Sequence, residues 1–204
     1  MAKLKKTKNE LKAQREALRR YERFLPTLEL KKQQLQREVR RAETALRERA
    51  AEKDALLERL RPWARLLPSW PAFGDYVRLE AVDLETANVA GVSVPALAGV
   101  RFAAPEIDFF ETPAWLEDAV AAVSALTRLG AERRVLERQK RLLAEELRIT
   151  AQRVNLFEKV MIPRTWENIR VIRIALGDAQ VAAVARAKLA KGKGAELLSG
   201  MAGA

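Results

Sequence analysis

The sequence predicts a mainly α protein in which two long helices, one from each end of the chain, form an antiparallel coiled coil. A small central insert with a β-hairpin connects them. Apolar residues recur every seven positions over about the first sixty residues and again over about fifty residues near the C-terminus. Ala, Glu, Leu, Lys and Arg dominate the composition, as they do in long helices. The stretch between the two periodic regions has the proline, glycine and alternating residues that are typical of turns and short strands.

The first periodic region predicts a long N-terminal helix. Its apolar residues form two interleaved series, which is the a/d pattern of a coiled coil. The members are Leu4, Leu11, Leu18, Leu25, Val39, Leu46 and Leu60 in one series, and Tyr21, Leu28, Leu35, Ala42 and Leu56 in the other. The seven-residue spacing of the apolar residues continues unchanged through Pro26, so we expect one continuous helix with a kink there. We expect this helix to run from about Thr7 to Leu67, before Pro68, and residues 1–67 form the predicted N-terminal coiled-coil segment.

The central insert, residues 68–112, breaks the helical pattern. The prolines of Pro68–Gly74 exclude a regular helix there. Residues Tyr76–Val82 and Asn88–Pro95 have the composition of strands, and we expect them to form a hairpin with its turn near Asp83–Thr86. Because an isolated hairpin is only marginally stable, we expect it to lean on the helices or on another protein.

The second periodic region predicts a C-terminal helix over residues 113–191. Thr112 is the expected N-cap and Pro113 the first helical residue. The apolar positions are Trp115, Ala122, Leu129, Leu136, Leu143 and Phe157 in one series, and Leu126, Leu147, Val154 and Met161 in a second. Pro163 interrupts the pattern before apolar positions resume. We expect residues 192–204 to form a flexible tail.

The two loop-proximal helix ends give the register of the predicted pair. If Leu67 and Pro113 lie opposite each other, the numbers of facing residues add to about 180. Leu11 then faces Ile169, and Leu25 faces Asn155.

The charge of the chain is divided between its ends and its middle. The net charge is +11, and residues 1–25 and 153–193 each carry nine Lys or Arg with three acidic residues. Residues 66–125 carry two Arg and nine Asp or Glu. An antiparallel helix pair therefore brings two basic chain ends to one pole.

The residue types present exclude most catalytic chemistry. There is no His and no Cys, so the usual ligands of zinc and haem and the usual activated nucleophiles are missing. Neighbouring carboxylates such as Glu145 and Glu146 are typical of a solvated helix face. The glycines of Lys191–Gly194 lack the spacing of a phosphate-binding loop. We therefore expect no catalytic residue, no cofactor and no metal.

Neither a nucleic acid nor a membrane is an expected direct partner. The basic N-terminus has no aromatic stacking platform or base-reading motif beside it. No apolar stretch approaches the roughly 20 residues that span a bilayer, and no signal peptide is recognisable. We expect a cytoplasmic protein that is peripheral to a membrane only through a partner.

One segment carries a resemblance to a known family. The matching positions in residues 153–176 are Arg153, Val154, Asn155, Glu158, Ile162, Pro163, Ile169, Ile172 and Leu176. This pattern resembles the C-terminal signature of the D subunit of V-type and A-type ATPases. Residues 28–35 and 88–97 are similar to the N-terminal motif and the central insert of that family, so the resemblance covers nearly the whole chain in the right order.

The resemblance implies a central stalk component of a rotary ATPase or ATP synthase. Such a rotor shaft is not itself an enzyme, and it couples ATP hydrolysis or ATP synthesis to proton (hydrogen ion) or sodium transport. The implied partners are the catalytic A and B subunits, the small F subunit of the stalk and the funnel-shaped subunit on the ring of c subunits.

Two sets of residues are candidate partner contacts on this interpretation. The hypothesis for the collar of A and B subunits names Arg15, Arg19, Arg20, Arg164, Trp166, Arg170 and Arg173. The hypothesis for the F subunit, by strand addition or packing, names Tyr76, Arg78, Glu80, Val89, Val92 and Val94.

Two other functions fit a helix pair with a central hairpin. A prefoldin-like chaperone also places a hairpin between coiled-coil helices, but it presents apolar tips where this chain is basic. A structural tether or nucleic-acid-associated coiled coil would bind DNA with a steep salt dependence. Neither alternative explains the pattern at residues 153–176.

Overall fold

The computed structural model describes residues 4–62, 64–103, 108 and 110–202, with the backbone alone for 192–202. Its elements are helix α1 (Lys8–Leu60), a 3₁₀ helix (Ala64–Ser69), helix α2 (Phe73–Tyr76), strands β1 (Leu79–Val89) and β2 (Val92–Phe102), helix α3 (Leu116–Leu156), a π turn (Phe157–Met161) and helix α4 (Ile162–Ala202). The predicted mainly α fold with a hairpin insert is confirmed.

The residues form two compact units. One combines Met1–Glu29 with Gln152–Ala204, and we call it the terminal unit. The other is the continuous stretch Leu30–Ala151, which we call the central unit. Each contains a part of α1 and a part of the C-terminal helices.

Helix α1 is continuous across Pro26, as the unchanged seven-residue spacing of its apolar residues predicted. Its end at Leu60 differs from the predicted end at Leu67. The reason is Pro62, whose ring disfavours helical geometry at the residue before it. The chain leaves the α-helix after a last bond from the Arg61 N–H to the Leu57 carbonyl, 3.0 Å, and continues in the 3₁₀ helix.

The hairpin is longer than predicted, and its turn is elsewhere. Val89 pairs with Val92, so the turn residues are Ala90 and Gly91 rather than Asp83–Thr86. Both have positive φ, 51° and 78°, as a two-residue type I′ turn requires. The Asn88 side-chain oxygen accepts a hydrogen bond from the Gly91 N–H at 2.9 Å. The expected start of the first strand at Tyr76 is also wrong, because Tyr76 ends α2.

The start of α3 lies four residues beyond the predicted cap. Thr112 does not cap the helix; its hydroxyl donates to the Asp108 carbonyl at 2.6 Å, and the helix begins at Leu116. Glu117 and Asp118 occupy its first turn, where carboxylates are favoured by the helix dipole.

A π turn replaces the predicted interruption at Pro163. The Ile162 N–H donates to the Phe157 carbonyl, five residues earlier. Proline has no N–H to donate, and its ring would collide with the carbonyl of Lys159 in a regular α-helix. The wider turn absorbs this conflict, so α4 follows α3 directly.

Helix α4 runs to Ala202, whereas the sequence predicted a flexible tail from residue 192. The alanines of this stretch favour a helix, and each glycine costs a helix only about 1 kcal/mol relative to alanine. Two glycines at 192 and 194 are therefore compatible with continued helix. Residues 203 and 204 of the predicted tail lie outside the described residues.

Ion pairs join α1 and α3 within the central unit in an antiparallel register. Lys31 lies 2.7 Å from Glu146, Glu43 lies 2.9 Å from Lys140, and Arg49 lies 3.1 Å from Glu132. The residue numbers of these pairs add to about 180, as a coiled-coil register with facing loop ends predicts. The predicted register is thus confirmed in this unit.

The core of the central unit closes where the hairpin tip meets the two helices. Leu35 of α1 is 0% exposed, Val94 of β2 is 1% exposed and Leu143 of α3 is 3% exposed, and the three form one cluster. The Gln139 amide donates to the Pro95 carbonyl at 2.6 Å and holds β2 on α3. The hairpin therefore leans on the helices, as an otherwise marginal hairpin must.

The terminal unit has its own helix contacts. The Tyr21 and Phe157 rings are 5.3 Å apart, and the Asn168 amide donates to Gln14 at 3.4 Å. Both pairs follow the same antiparallel register. Among the described side chains of this unit, the buried ones are Leu18, Val154, Thr165, Ile169 and Ile172.

Replacing Leu35 by alanine should lower the free energy of unfolding of the central unit. The side chain is fully buried, and a large-to-small change in a core costs about 2–5 kcal/mol of unfolding free energy. Urea denaturation followed by circular dichroism measures this. Leu30→Ala is the matched control: Leu30 is 59% exposed, and surface changes stay within about 0.5 kcal/mol. Equal losses for both variants would contradict the assigned core.

The Glu43–Lys140 pair should make a pH-dependent contribution to stability. The hydrogen bond and the charge of Lys140 lower the pKa of Glu43 below its ordinary value. A carboxyl with a lowered folded-state pKa stabilises the fold above its unfolded-state pKa, and this stabilisation is lost as the pH falls through the folded-state value. Wild type should therefore be more stable than Glu43→Gln at pH 7, and the gap should close towards pH 3. A gap independent of pH would exclude this role.

Candidate partner-binding site

Helix α4 buries one face and exposes the neighbouring one, because residues three or four positions apart lie on the same side of a helix. The buried face carries Thr165, Ile169 and Ile172, and the exposed face carries Trp166, Arg170 and Arg173 at the same spacing. Three of the predicted collar contacts are therefore brought together on one face of α4.

A groove of about 650 Å³ runs along this exposed face. Trp166 is 55% exposed and Ile174 is 51% exposed, although both are large and apolar. The lining residues are Pro163, Trp166, Glu167, Ile169, Arg170, Arg173 and Ile174. An apolar floor with guanidinium groups beside it can hold an apolar side chain together with a carboxylate.

Arg170 already has a carboxylate partner on its own helix. Its guanidinium donates twice to Glu167, at 2.8 and 2.7 Å. This hydrogen-bonded pair lowers the pKa of Glu167 and raises that of Arg170. An acidic partner must compete with Glu167 for Arg170, whereas Arg173 has no such competitor among the described carboxylates.

The predicted arginines of α1 form a separate surface. Arg19 and Arg20 line a hollow of about 290 Å³ with Glu16 and Arg23. Arg23 was missed in the sequence, although its spacing of four residues from Arg19 was a usable signal. Arg15 and Arg164 are exposed and line neither groove.

Most of the predicted collar arginines are available to a partner. Within the described part of the chain, five of them have no carboxylate within 4.0 Å: Arg15, Arg19, Arg20, Arg164 and Arg173. Such unpaired guanidiniums are suited to an acidic protein surface.

The hairpin residues proposed for the F subunit do not form one surface. Tyr76 ends α2, Arg78 lies before β1 and Glu80 is exposed on β1. Val89 and Val92 pack against the core cluster at the hairpin tip. The Val94 side chain is 1% exposed and fills the core between α1 and α3, so a contact of the F subunit with Val94 stays a prediction that only its backbone could satisfy in this conformation.

Among the described residues, no three or more acidic side chains come together in a way that suits a metal ion. None of the helices in the described segments is both long enough and apolar enough to cross a membrane.

The family model for the D subunit of ATP synthase matches residues 10–192. The chain belongs to this family. A V-type ATP synthase D subunit of Borreliella burgdorferi is 39% identical over 191 residues, covering 94% of this chain and 95% of the relative. The corresponding proteins of Chlamydia trachomatis serovar L2 and Chlamydia pneumoniae are 36% and 34% identical, over 93% of this chain and 95% and 92% of the relatives.

Membership of this family confirms the resemblance carried by residues 153–176. The matched range includes nearly all of α1, the hairpin, α3 and most of α4, so the arrangement of helix, hairpin and helix belongs to the family. The prefoldin-like and tether alternatives have no comparable support.

Proposed function

We propose that this chain, as a member of the D subunit family, is the central stalk shaft of a V-type rotary ATP synthase. In this role it transmits rotation between the catalytic A and B subunits and the ion-translocating ring, and it couples ATP hydrolysis or synthesis to proton or sodium transport without catalysing a reaction itself. The observation that carries the proposal is the family match over residues 10–192, together with relatives of nearly equal length.

The helix pairing supports a mechanical role. Paired helices resist bending and torsion more than a single helix does, and the antiparallel contacts recur in both units. Where the structure describes the side chains, the buried core contains apolar residues and two polar ones, Thr150 and Thr165. Side chains of this kind stabilise the fold by packing and do not supply catalytic groups.

The exposed arginines of the terminal unit support contact with the A and B subunits. Distributed positive charges give several shallow interaction minima around a rotating surface, whereas deep apolar pockets would hold one orientation. Trp166 then contributes a limited apolar contact among these charges. The Glu167–Arg170 pair reduces the charge available at one position of this surface.

The remaining partners are assigned by position in the chain. Tyr76, Arg78, Glu80, Val89 and Val92 remain the proposed region for the F subunit, with Arg78 and Glu80 as its exposed charged members. The funnel-shaped subunit on the c ring is the proposed link to the membrane. The complex thus keeps the chain at the cytoplasmic face of the membrane.

Neutralising the collar arginines in groups should weaken assembly and coupling. We expect Arg15→Gln/Arg19→Gln/Arg20→Gln to lower the affinity for a reconstituted A/B collar roughly 3- to 100-fold, since each exposed ion pair is worth about 0.2–1 kcal/mol. The measurements are the collar dissociation constant and ATP-driven ion pumping in vesicles. Arg164→Gln/Arg173→Gln is the corresponding variant on α4.

The control for that experiment is Arg41→Gln/Arg61→Gln, which changes one residue of α1 and the residue directly after its end. These side chains are 79% and 77% exposed, and they lie outside the terminal unit. Collar affinity and pumping should stay at wild-type values in the control. Unchanged affinity and unchanged pumping in both arginine groups would refute the proposed contact.

Exchanging the charges at the base of β1 should weaken binding of the F subunit. Arg78→Glu/Glu80→Arg keeps the net charge and alters only exposed side chains, so we expect a roughly 3- to 30-fold rise in Kd, measured by calorimetry with the purified partner. Glu85→Arg, exposed on the same strand, is the control. Deleting the hairpin is unsuitable because Val94 belongs to the core. An unaltered Kd would rule out this region.

A further inference from the structure

The hairpin and helix α3 enclose an apolar groove that the proposed contacts do not use. Its volume is about 490 Å³, and we call it the hairpin groove. Its apolar walls include Leu79, Val82, Leu84, Gly130, Ala131 and Val135.

The hairpin wall of this groove exposes large apolar side chains. Leu79 is 44% exposed, Val82 is 38% exposed and Leu84 is 53% exposed. They follow one another along β1, in contrast to the tip of the hairpin, where Val94 is buried. Exposed apolar side chains that lie close together mark an interaction site more often than apolar residues scattered singly over a surface.

The helix wall contains a glycine with open space beside it. A Cβ added at Gly130 would meet nothing within 4 Å. Gly130 lies in the interior of α3, where glycine costs about 1 kcal/mol relative to alanine. Since no described neighbour crowds this position, the open space is suited to the close approach of another molecule.

Two arginines on the helix wall indicate that this molecule is acidic. Arg134 and Arg138 line the groove, and neither has a carboxylate within 4.0 Å among the described residues. Arg133 and Arg148 of the same helix are instead paired, with Glu137 at 3.1 Å and with Glu145 at 2.7 Å. Arg134 and Arg138 lie one turn apart, so they match carboxylates one turn apart on an occupant.

The position of the groove favours a helical occupant. The groove lies between a face of the hairpin and α3, and a sheet face presents side chains while its free backbone groups point along the sheet plane. An extended peptide laid there would leave its own N–H and C=O groups without partners in an apolar site. A helix satisfies these groups internally. From Thr127 to Arg138 the groove follows about three turns of α3, or roughly 16 Å.

We propose that the hairpin groove binds an amphipathic, acidic α-helix of a partner protein. Its apolar face packs over Gly130 and against Leu79, Val82 and Leu84, and its carboxylates pair with Arg134 and Arg138. This goes beyond the proposed function, because it assigns a new surface and the chemistry of its ligand, and it does not depend on the collar contacts.

The first experiment uses the full-length chain and a designed peptide. An 18-residue fluorescein-labelled helix with leucines on one face and glutamates one turn apart on the other is titrated by fluorescence anisotropy. One comparison peptide has lysine in place of each glutamate, and another has the same composition in scrambled order. We expect the acidic amphipathic peptide to bind at least about tenfold more tightly than either, a difference of about 1.4 kcal/mol.

Two pairs of variants locate the binding. Gly130→Phe fills the groove without a clash at Cβ, and it should weaken the acidic peptide at least about tenfold while the thermal unfolding midpoint does not fall, because phenylalanine is a better helix former than glycine. Gly130→Ala is its control and should keep most of the affinity. Arg134→Glu/Arg138→Glu should also weaken binding, whereas Arg41→Glu/Arg61→Glu, with the same charge change outside the groove, should not.

Three results would overturn the proposal. Equal binding of all three peptides would show that the groove does not read an acidic amphipathic helix. Equal effects of the groove and control variants would show that the peptide binds the basic chain ends instead. Self-association of the free chain in analytical ultracentrifugation that Gly130→Phe abolishes would identify a second copy of this chain as the occupant.

Discussion

The fold of the central unit depends on the contact between the hairpin tip and the two long helices. Two paired helices cover only a stripe of each other's surface, and the hairpin adds a third wall at Leu35, Val94 and Leu143. This contact stabilises a hairpin that would be marginal alone, and it directs one part of the hairpin inward. The other part, at Leu79 to Leu84, is thereby left exposed beside α3, so the same packing that forms the core also forms the unfilled groove.

Charged side chains divide into two classes that have different roles. Pairs between helices, such as Lys31–Glu146 and Glu43–Lys140, flank the apolar seam and favour one stagger. Each such exposed pair is a small contribution to stability, but a shifted register would separate all of them at once. Arg19 and Arg173 have no carboxylate within 4.0 Å among the described residues, which is why they are part of the proposed contact with another protein.

The candidate site could be predicted from the sequence only in part. Trp166, Arg170 and Arg173 share a helix face because their spacing is helical, and this spacing is visible in the sequence. The pairing of Arg170 with Glu167 was not predicted, because several neighbours at suitable spacing compete for an exposed guanidinium. The burial of Val94 could not be predicted either. The sequence of a strand shows which residues share a face, but it does not show whether that face meets solvent, a partner or a helix of the same chain.

The sequence by itself determined the long helices and the presence of a hairpin, because heptad spacing, proline positions and strand composition are local properties. The antiparallel register of the helices followed only on the condition that the two loop-proximal helix ends face each other. Pro62 also indicates the observed end of α1. The break in the apolar pattern at Pro68 is more conspicuous, and it predicted a later end. The tertiary structure alone decided the position of the hairpin turn at Ala90–Gly91, because cross-strand pairing and the fit of Val94 between α1 and α3 select among several turn-like segments. It also decided which apolar residues remain exposed, since exposure depends on what packs opposite each side chain.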